Sequence, residues 1–240
     1  MGSLSASNAS GFLGLSLLSA TIEHGTVTFV SIETVTLTTI DGVPIAADIA
    51  TVAVDRPIRG GVVLAHPHPL YGGDRFNPVI DALFRALPDH GFHAVRFDFR
   101  GAGDSGGDHD DGDSERLDVA AAVDFLAPFN DDIWSIGYSF GSIVAMNVVE
   151  PRVSGWIAVA PPLADGSPVL AGRDPRPKLL LVPEHDQFCP TSSARERSRE
   201  WPNTTIVEVA GTDHFLHGRL SSVVENAVGF LEGFSPSTPT

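Results

Sequence analysis

Six short apolar runs, at 62–65, 94–99, 133–136, 156–160, 179–182 and 205–209, alternate with helix-like stretches around 78–88, 115–127, 142–150, 192–199 and 220–231. A continuous apolar run of four to six residues has the signature of a strand buried on both faces, and intervening helices let consecutive strands run parallel. The pattern therefore predicts an α/β fold: a mostly parallel central sheet with helices on both faces. Ahead of it, Val35, Leu37 and Ile40, a turn at Asp41-Gly42, then Ile45, Ala47, Ile49 and Val52 predict an antiparallel hairpin. With 240 residues, 42% of them hydrophobic, the chain suits one domain, expected over 31–234. Residues 1–30, rich in Ser, Ala and Gly, are expected to be an extension, disordered or left from cloning, and 235–240 a disordered tail. Only residues 163–177 separate two successive strands where a multi-helix lid would be inserted, so an open cleft with little or no lid is expected.

Gly137-Tyr138-Ser139-Phe140-Gly141 joins the run at 133–136 to the helical stretch that follows. A serine on such a sharp strand-to-helix turn exposes its hydroxyl, and the flanking glycines remove side chains that would collide there. Gly103-Asp104-Ser105-Gly106-Gly107 matches the same pattern and also spells the GDSGG of trypsin-like proteases. An acidic loop follows it in place of a helix, and a trypsin-like fold needs many strands and usually disulfides, so Ser139 is taken as the nucleophile of a serine hydrolase.

A formal charge of −15 with Lys178 as the one lysine excludes the clustered basic groups that nucleic acid requires. Cys189 is the sole cysteine, so no intrachain disulfide forms and a cytoplasmic setting is the expectation. The apolar stretch at 12–18 is far shorter than the about 20 residues a bilayer needs, and no Lys or Arg precedes Arg56 as a signal peptide would require. No membrane association is expected.

His66-Pro67-His68-Pro69-Leu70-Tyr71-Gly72-Gly73, the segment 96–107, Gly137 to Gly141, Pro183-Glu184-His185-Asp186 and the segment 211–218, in this order, resemble the small, lid-poor α/β-hydrolases of the dienelactone-hydrolase-like esterase group. The likeness spans roughly residues 35–232. It implies an α/β-hydrolase fold and a Ser139, Asp186, His214 triad, the chain order expected of that fold. His214 would be the base, with His217 as its rival, and Asp186 would orient it, with Glu184 and Asp213 as alternatives. The Phe140 N–H would supply one oxyanion donor. Pro67 and Pro69 have no N–H, which leaves His68, Leu70 and Tyr71 for the second, and the likeness favours His68. Dienelactone hydrolases proper carry cysteine in the elbow; serine stands here, and Cys189 reads as a loop or core residue.

Tyr71 and Tyr138 are expected to line the substrate site, as is Phe188. His66-Pro67-His68 is also a possible metal-binding pair, but no further ligands accompany it in the sequence, so neither metal nor cofactor is expected. The acidic run at 108–113 is expected to be a solvated loop leading into a helix capped by Asp113 or Ser114, with Arg100 and Asp104 holding the loop. The combined expectation is a carboxylesterase acting on a small-molecule ester with short acyl chains, without nucleic-acid or membrane partners, as a monomer or homodimer. Thioesterase, amidase or small-peptidase chemistry through the same triad is the alternative, and a non-catalytic binding module a third.

Overall fold

Val62 and Leu64 pack on one side of the central sheet and Val63 and Ala65 on the other, as a strand's two-residue period requires, so each parallel strand feeds two cores at once. The computed structural model describes residues 17–23, 26–163, 166 and 168–234. Their strands are β1 (Leu17–Glu23), β2 (Thr26–Thr38), β3 (Pro44–Thr51), β4 (Gly60–Ala65), β5 (Phe92–Phe97), β6 (Ile133–Tyr138), β7 (Val153–Val159), β8 (Lys178–Pro183) and β9 (Thr204–Val209). They form one sheet in the order β1-β2-β3-β5-β4-β6-β7-β8-β9. The β1–β2, β2–β3 and β3–β5 pairs are antiparallel and the rest parallel. This is the expected α/β-hydrolase architecture.

The helices are α1 (Pro78–Ala86), α2 (Glu115–Leu126), α3 (Phe140–Met146), α4 (Thr191–Arg197) and α5 (Leu220–Phe234). Val79, Ile80, Leu83 and Phe84 of α1 and Val223, Ala227, Val228 and Leu231 of α5 cover one face, while α2 and α3 cover the other. At its start α1 has Pro78 in the first turn and Asn77 accepting from the Val79 N–H at 3.0 Å, two features that favour initiation there. The expected helix at 142–150 is α3, which ends at Met146. Asn147 caps it and uses its amide to hold Pro168 and Leu170 of the neighbouring loop.

Two expectations are corrected. Residues 17–23 and 26–30, assigned to an extension by sequence, belong to strands of the sheet, with Glu23 paired to Thr26; the run Thr26-Val27-Thr28-Phe29-Val30 is rich in the β-branched residues that suit a strand. Ser114 begins α2, but makes no capping bond to its backbone. The buried Glu115 carboxylate holds the loop instead, accepting from the Asp110 and Gly112 N–H groups, both at 2.9 Å. The tail at 235–240 lies outside the described residues. Between β7 and β8 the described residues include the short 3-10 turn Leu170–Arg173 and no helical cap. No helix among the described residues is long and apolar enough to cross a membrane.

Candidate active site

β4 lies between β5 and β6, so the chain's crossovers diverge there, and the crevice beyond the carboxyl ends of such strands is where α/β sheets bind ligands. The loop at 66–73 leaves β4 and the elbow leaves β6, which brings the two motifs side by side. At the elbow Ser139 has φ 52° and ψ −123°, a conformation that is strained for a residue with a side chain. Its flanks have no room for side chains. A Cβ on Gly137 would lie 2.2 Å from the Gly141 carbonyl oxygen, and one on Gly141 would lie 2.3 Å from that of His66.

Ser139 Oγ–H donates to His214 Nε2 at 2.8 Å, and His214 Nδ1–H donates to Asp186 Oδ2 at 2.8 Å. Asp186 follows β8 and is 2% exposed; its other oxygen accepts from the Phe188 N–H at 2.8 Å and the Cys189 N–H at 3.1 Å, which fixes the carboxylate's direction. The loop after β9 places His214 and is held by a 3.0 Å bond from the His185 N–H to the Thr212 carbonyl. Phe188 packs edge-on against His214 at 4.5 Å. The rival residues have other partners: Glu184 accepts from the Gly211 N–H, Asp213 from the Phe215 N–H, and His217 is exposed beside Phe215.

Tyr138, expected to contact substrate, lies in the cleft wall but is 4% exposed, and its hydroxyl donates to the His214 carbonyl at 3.0 Å. Burial pushes the phenol up to about 12, so it remains a donor and fixes the histidine loop from beneath. Tyr71 is 86% exposed at the rim, where it packs against His68. The cleft has a volume of about 940 Å³ and is walled by apolar groups including Ile143, Val144, Pro162, Phe188 and Phe215. Cys189 is buried.

The His66-Pro67-His68 pair is split by the fold. His66 is buried, its Nε2 accepts from the Phe99 N–H at 2.9 Å and its Nδ1–H donates to the Pro67 carbonyl at 2.6 Å, while burial pushes it down to about 4. Both ring nitrogens are committed, so His66 has none to offer a metal. His68 points to the cleft, where its ring meets those of Phe140 at 4.7 Å and His109 at 4.8 Å. The acidic loop is thus only partly solvated. It turns His109 and Asp111 in beside His68, a convergence that no local signal in the sequence announces.

The second serine motif serves packing. Ser105 Oγ accepts from the Ala46 N–H at 2.9 Å and donates to the Asp98 carbonyl at 2.7 Å. Arg100 pairs with Asp118 and Asp41, both at 2.8 Å, and Asp104 with Arg75 at 3.0 Å.

The model of the family described as serine aminopeptidase, S33, matches residues 72–222, a span that contains Ser139, Asp186 and His214. Among solved structures, the chain is similar to XC6422 of Xanthomonas campestris, an α/β serine hydrolase without a lid (26% identity, TM-score 0.76, 86% of this chain and 96% of that one). It is likewise similar to an α/β serine hydrolase homologue from Coxiella burnetii (30% identity, TM-score 0.73, 83% of this chain and 97% of that one). The uncharacterized protein RP471 of Rickettsia prowazekii is 38% identical over 106 residues, which span 42% of this chain and less than half, 44%, of that relative. The family match over more than half of the sequence, joined to an α/β sheet with no helical cap between β7 and β8 among the described residues, makes the chain a member of the serine aminopeptidase S33 family and an α/β serine hydrolase.

Proposed function

We propose that the chain is a carboxylesterase that cleaves small esters with short acyl chains through an acyl-enzyme on Ser139. The observation that carries this reading is the pair of 2.8 Å contacts linking Ser139, His214 and Asp186 at the floor of an open, largely apolar cleft. His214 Nε2 takes the Ser139 proton as Oγ attacks the ester carbonyl, then gives it to the departing alcohol. Water, deprotonated by the same nitrogen, attacks the acyl-enzyme, and the acid leaves with Ser139 reprotonated. Asp186 keeps the proton on Nδ1 and stabilises the imidazolium.

For the oxyanion, the Phe140 N–H at the start of α3 is one donor. His68 is the other. Pro67 and Pro69 have no N–H, the Leu70 N–H is directed to His68 Nδ1 at 3.3 Å, and the Tyr71 N–H donates to the His68 carbonyl at 3.1 Å. The His68 N–H is what the loop has left. Apolar side chains around Ser139 suit an acyl group, and among the described residues no cap lies over the cleft to hold a long chain.

A second reading, aminoacyl amide cleavage, is favoured by the name of the matching family and by the carboxylates of Asp111 and Asp113 in the cleft wall, which would attract a substrate ammonium. The two readings separate under parallel assays on p-nitrophenyl esters of increasing acyl length and on aminoacyl amides. Faster turnover of the amides displaces the ester reading. Both require a single fluorophosphonate adduct on Ser139 by intact mass and peptide mapping; a folded protein that takes no adduct refutes both.

A further inference from the structure

One edge of the cleft holds a group of side chains that ester hydrolysis does not use. His68, His109 and Asp111 each bring one donor atom within 4.8 Å of the others. His109 is only 10% exposed, and its two buried ring nitrogens face carboxylates, Glu115 at 2.6 Å and Asp111 at 3.3 Å, without hydrogen-bond geometry. Buried polar atoms without a well-aligned hydrogen bond are costly, and a ligand that takes one of them removes part of that cost.

The surroundings decide which one. Glu115 Oε1, fully buried, lies 2.6 Å from His109 Nδ1, so a ring proton carried on Nδ1 would face a carboxylate and leave the Nε2 lone pair toward Asp111. A carboxylate behind the remote nitrogen of a histidine is how metal-binding imidazoles are oriented and made more basic. Asp111 Oδ1 is 3.3 Å from His109 Nε2, and two donors at about 2.0 Å from a tetrahedral ion are themselves about 3.3 Å apart. His68 Nδ1 accepts the Leu70 N–H only at 3.3 Å, so ligation through Nε2 would move the ring proton to Nδ1 and give up that long contact.

We propose that His68, His109 and Asp111 form a binding site for a divalent late-transition ion, zinc foremost, at the rim of the active-site cleft. Two imidazoles and one carboxylate are the ligand types that zinc takes, and three protein ligands leave a coordination position open toward the cleft. Calcium and magnesium are poorly served, because both prefer sets of oxygen ligands. The ion would tie the loop at 66–73 to the loop at 108–113. The ligand side chains are separate from the Ser139, His214 and Asp186 triad, although His68 also lends its backbone N–H to the proposed oxyanion hole and Asp111 lines the cleft.

The test is equilibrium dialysis of the EDTA-treated full chain against Zn²⁺, with Co²⁺ absorption reporting geometry. One equivalent of Zn²⁺ is expected, with Co²⁺ bands of tetrahedral intensity. His109→Gln and Asp111→Asn should each weaken binding by about 100-fold, somewhat beyond the 10- to 100-fold typical of losing a supporting residue. Asp111 is almost wholly exposed, so its substitution leaves the fold intact and keeps the test decisive even if His109→Gln is unstable. Ser139→Ala should bind zinc as the wild type does, which separates the outcome from that of the esterase assay. The proposal is overturned if the wild type takes up no stoichiometric zinc, or if Asp111→Asn binds it unchanged, in which case exposed histidines such as His185 and His217 hold the ion.

Discussion

Ser139 and Ser105 stand in the same five-residue pattern, one on the elbow after β6 and the other in the loop beyond β5, yet their hydroxyls meet opposite surroundings. Ser139 Oγ reaches an imidazole nitrogen in an open cleft, and its backbone pays with φ 52°. Ser105 Oγ is held between two backbone groups, the Ala46 N–H and the Asp98 carbonyl, where it completes the edge of β3. The lesson is that the pattern specifies a turn that tolerates small residues. Whether the serine between them reacts is decided by what the fold brings to its hydroxyl.

The sharpest way to break this comparison is to remove each hydroxyl in turn. Ser139→Ala should lower ester turnover by about 10⁴- to 10⁶-fold, since without the nucleophile only background catalysis remains. Thermal unfolding should change little, because the alanine releases no buried partner other than His214. Initial rates on p-nitrophenyl acetate measure this directly, and turnover near the wild-type level in the alanine variant would move the chemistry away from the elbow.

Next in size is the support beneath the Ser105 loop. Arg100 is 95% buried as a side chain and is paired to Asp118, which has no exposure, and to Asp41 on the hairpin. Replacing Asp118 with Ala leaves a buried guanidinium with one partner fewer, and should cost about 3 to 5 kcal/mol in urea unfolding. Among the described residues the elbow has no such ion pair under it; its position comes from β6, from α3 and from the 2.9 Å bond of the Ser139 N–H to the Val159 carbonyl. A loss below about 1 kcal/mol would put the pair among surface salt bridges and equalise the two loops.

His66 joins the two regions. Its carbonyl lies against Gly141 of the elbow, and its Nε2 accepts the Phe99 N–H at the head of the other loop. Burial depresses its titration from 6.5 to about 4. Between those values the unfolded chain takes up a proton that the folded chain refuses, so this contribution to stability is complete above pH 6.5 and is lost as the pH falls toward 4, by about 3 kcal/mol in all. The urea midpoint should therefore fall less between pH 7 and pH 4.5 in His66→Gln than in the wild type. Equal slopes would mean that His66 titrates normally.

These contrasts also mark what was legible in the sequence. The strands from β4 onward were, because an apolar run buried on both faces has one economical arrangement, and so was the Ser139 elbow, because it is local and its glycines have a steric reason. The order of Asp186 and His214 came only through the family likeness. Strand β1 escaped notice because its residues look like an unpatterned extension until β2 pairs with it. The roles of Ser105 with Ala46, of His66 with Phe99, and of His68 with His109 and Asp111 escaped for a common reason: each depends on segments tens of residues apart meeting at one end of the sheet, and composition at either site carries no trace of the other. The hydroxyl partner of Tyr138 escaped on the same ground, since it is the carbonyl of His214, 76 residues away.

The smallest expected effect tests the comparison most finely. Ser105→Ala removes an acceptor from the Ala46 N–H and a donor from the Asp98 carbonyl, both in a partly buried setting where water can replace some of the loss. The expected cost is about 1 to 2 kcal/mol in urea unfolding. The Gly106 N–H still bonds the Pro44 carbonyl at 2.8 Å and the Asp98 N–H the Ala46 carbonyl at 2.9 Å, so the loop keeps its place on β3. Fluorophosphonate labelling at Ser139 should then proceed at the wild-type rate. A destabilised variant that labels normally assigns Ser105 to architecture, whereas slowed labelling with unchanged stability would mean that the second serine acts on the site through the loop it holds.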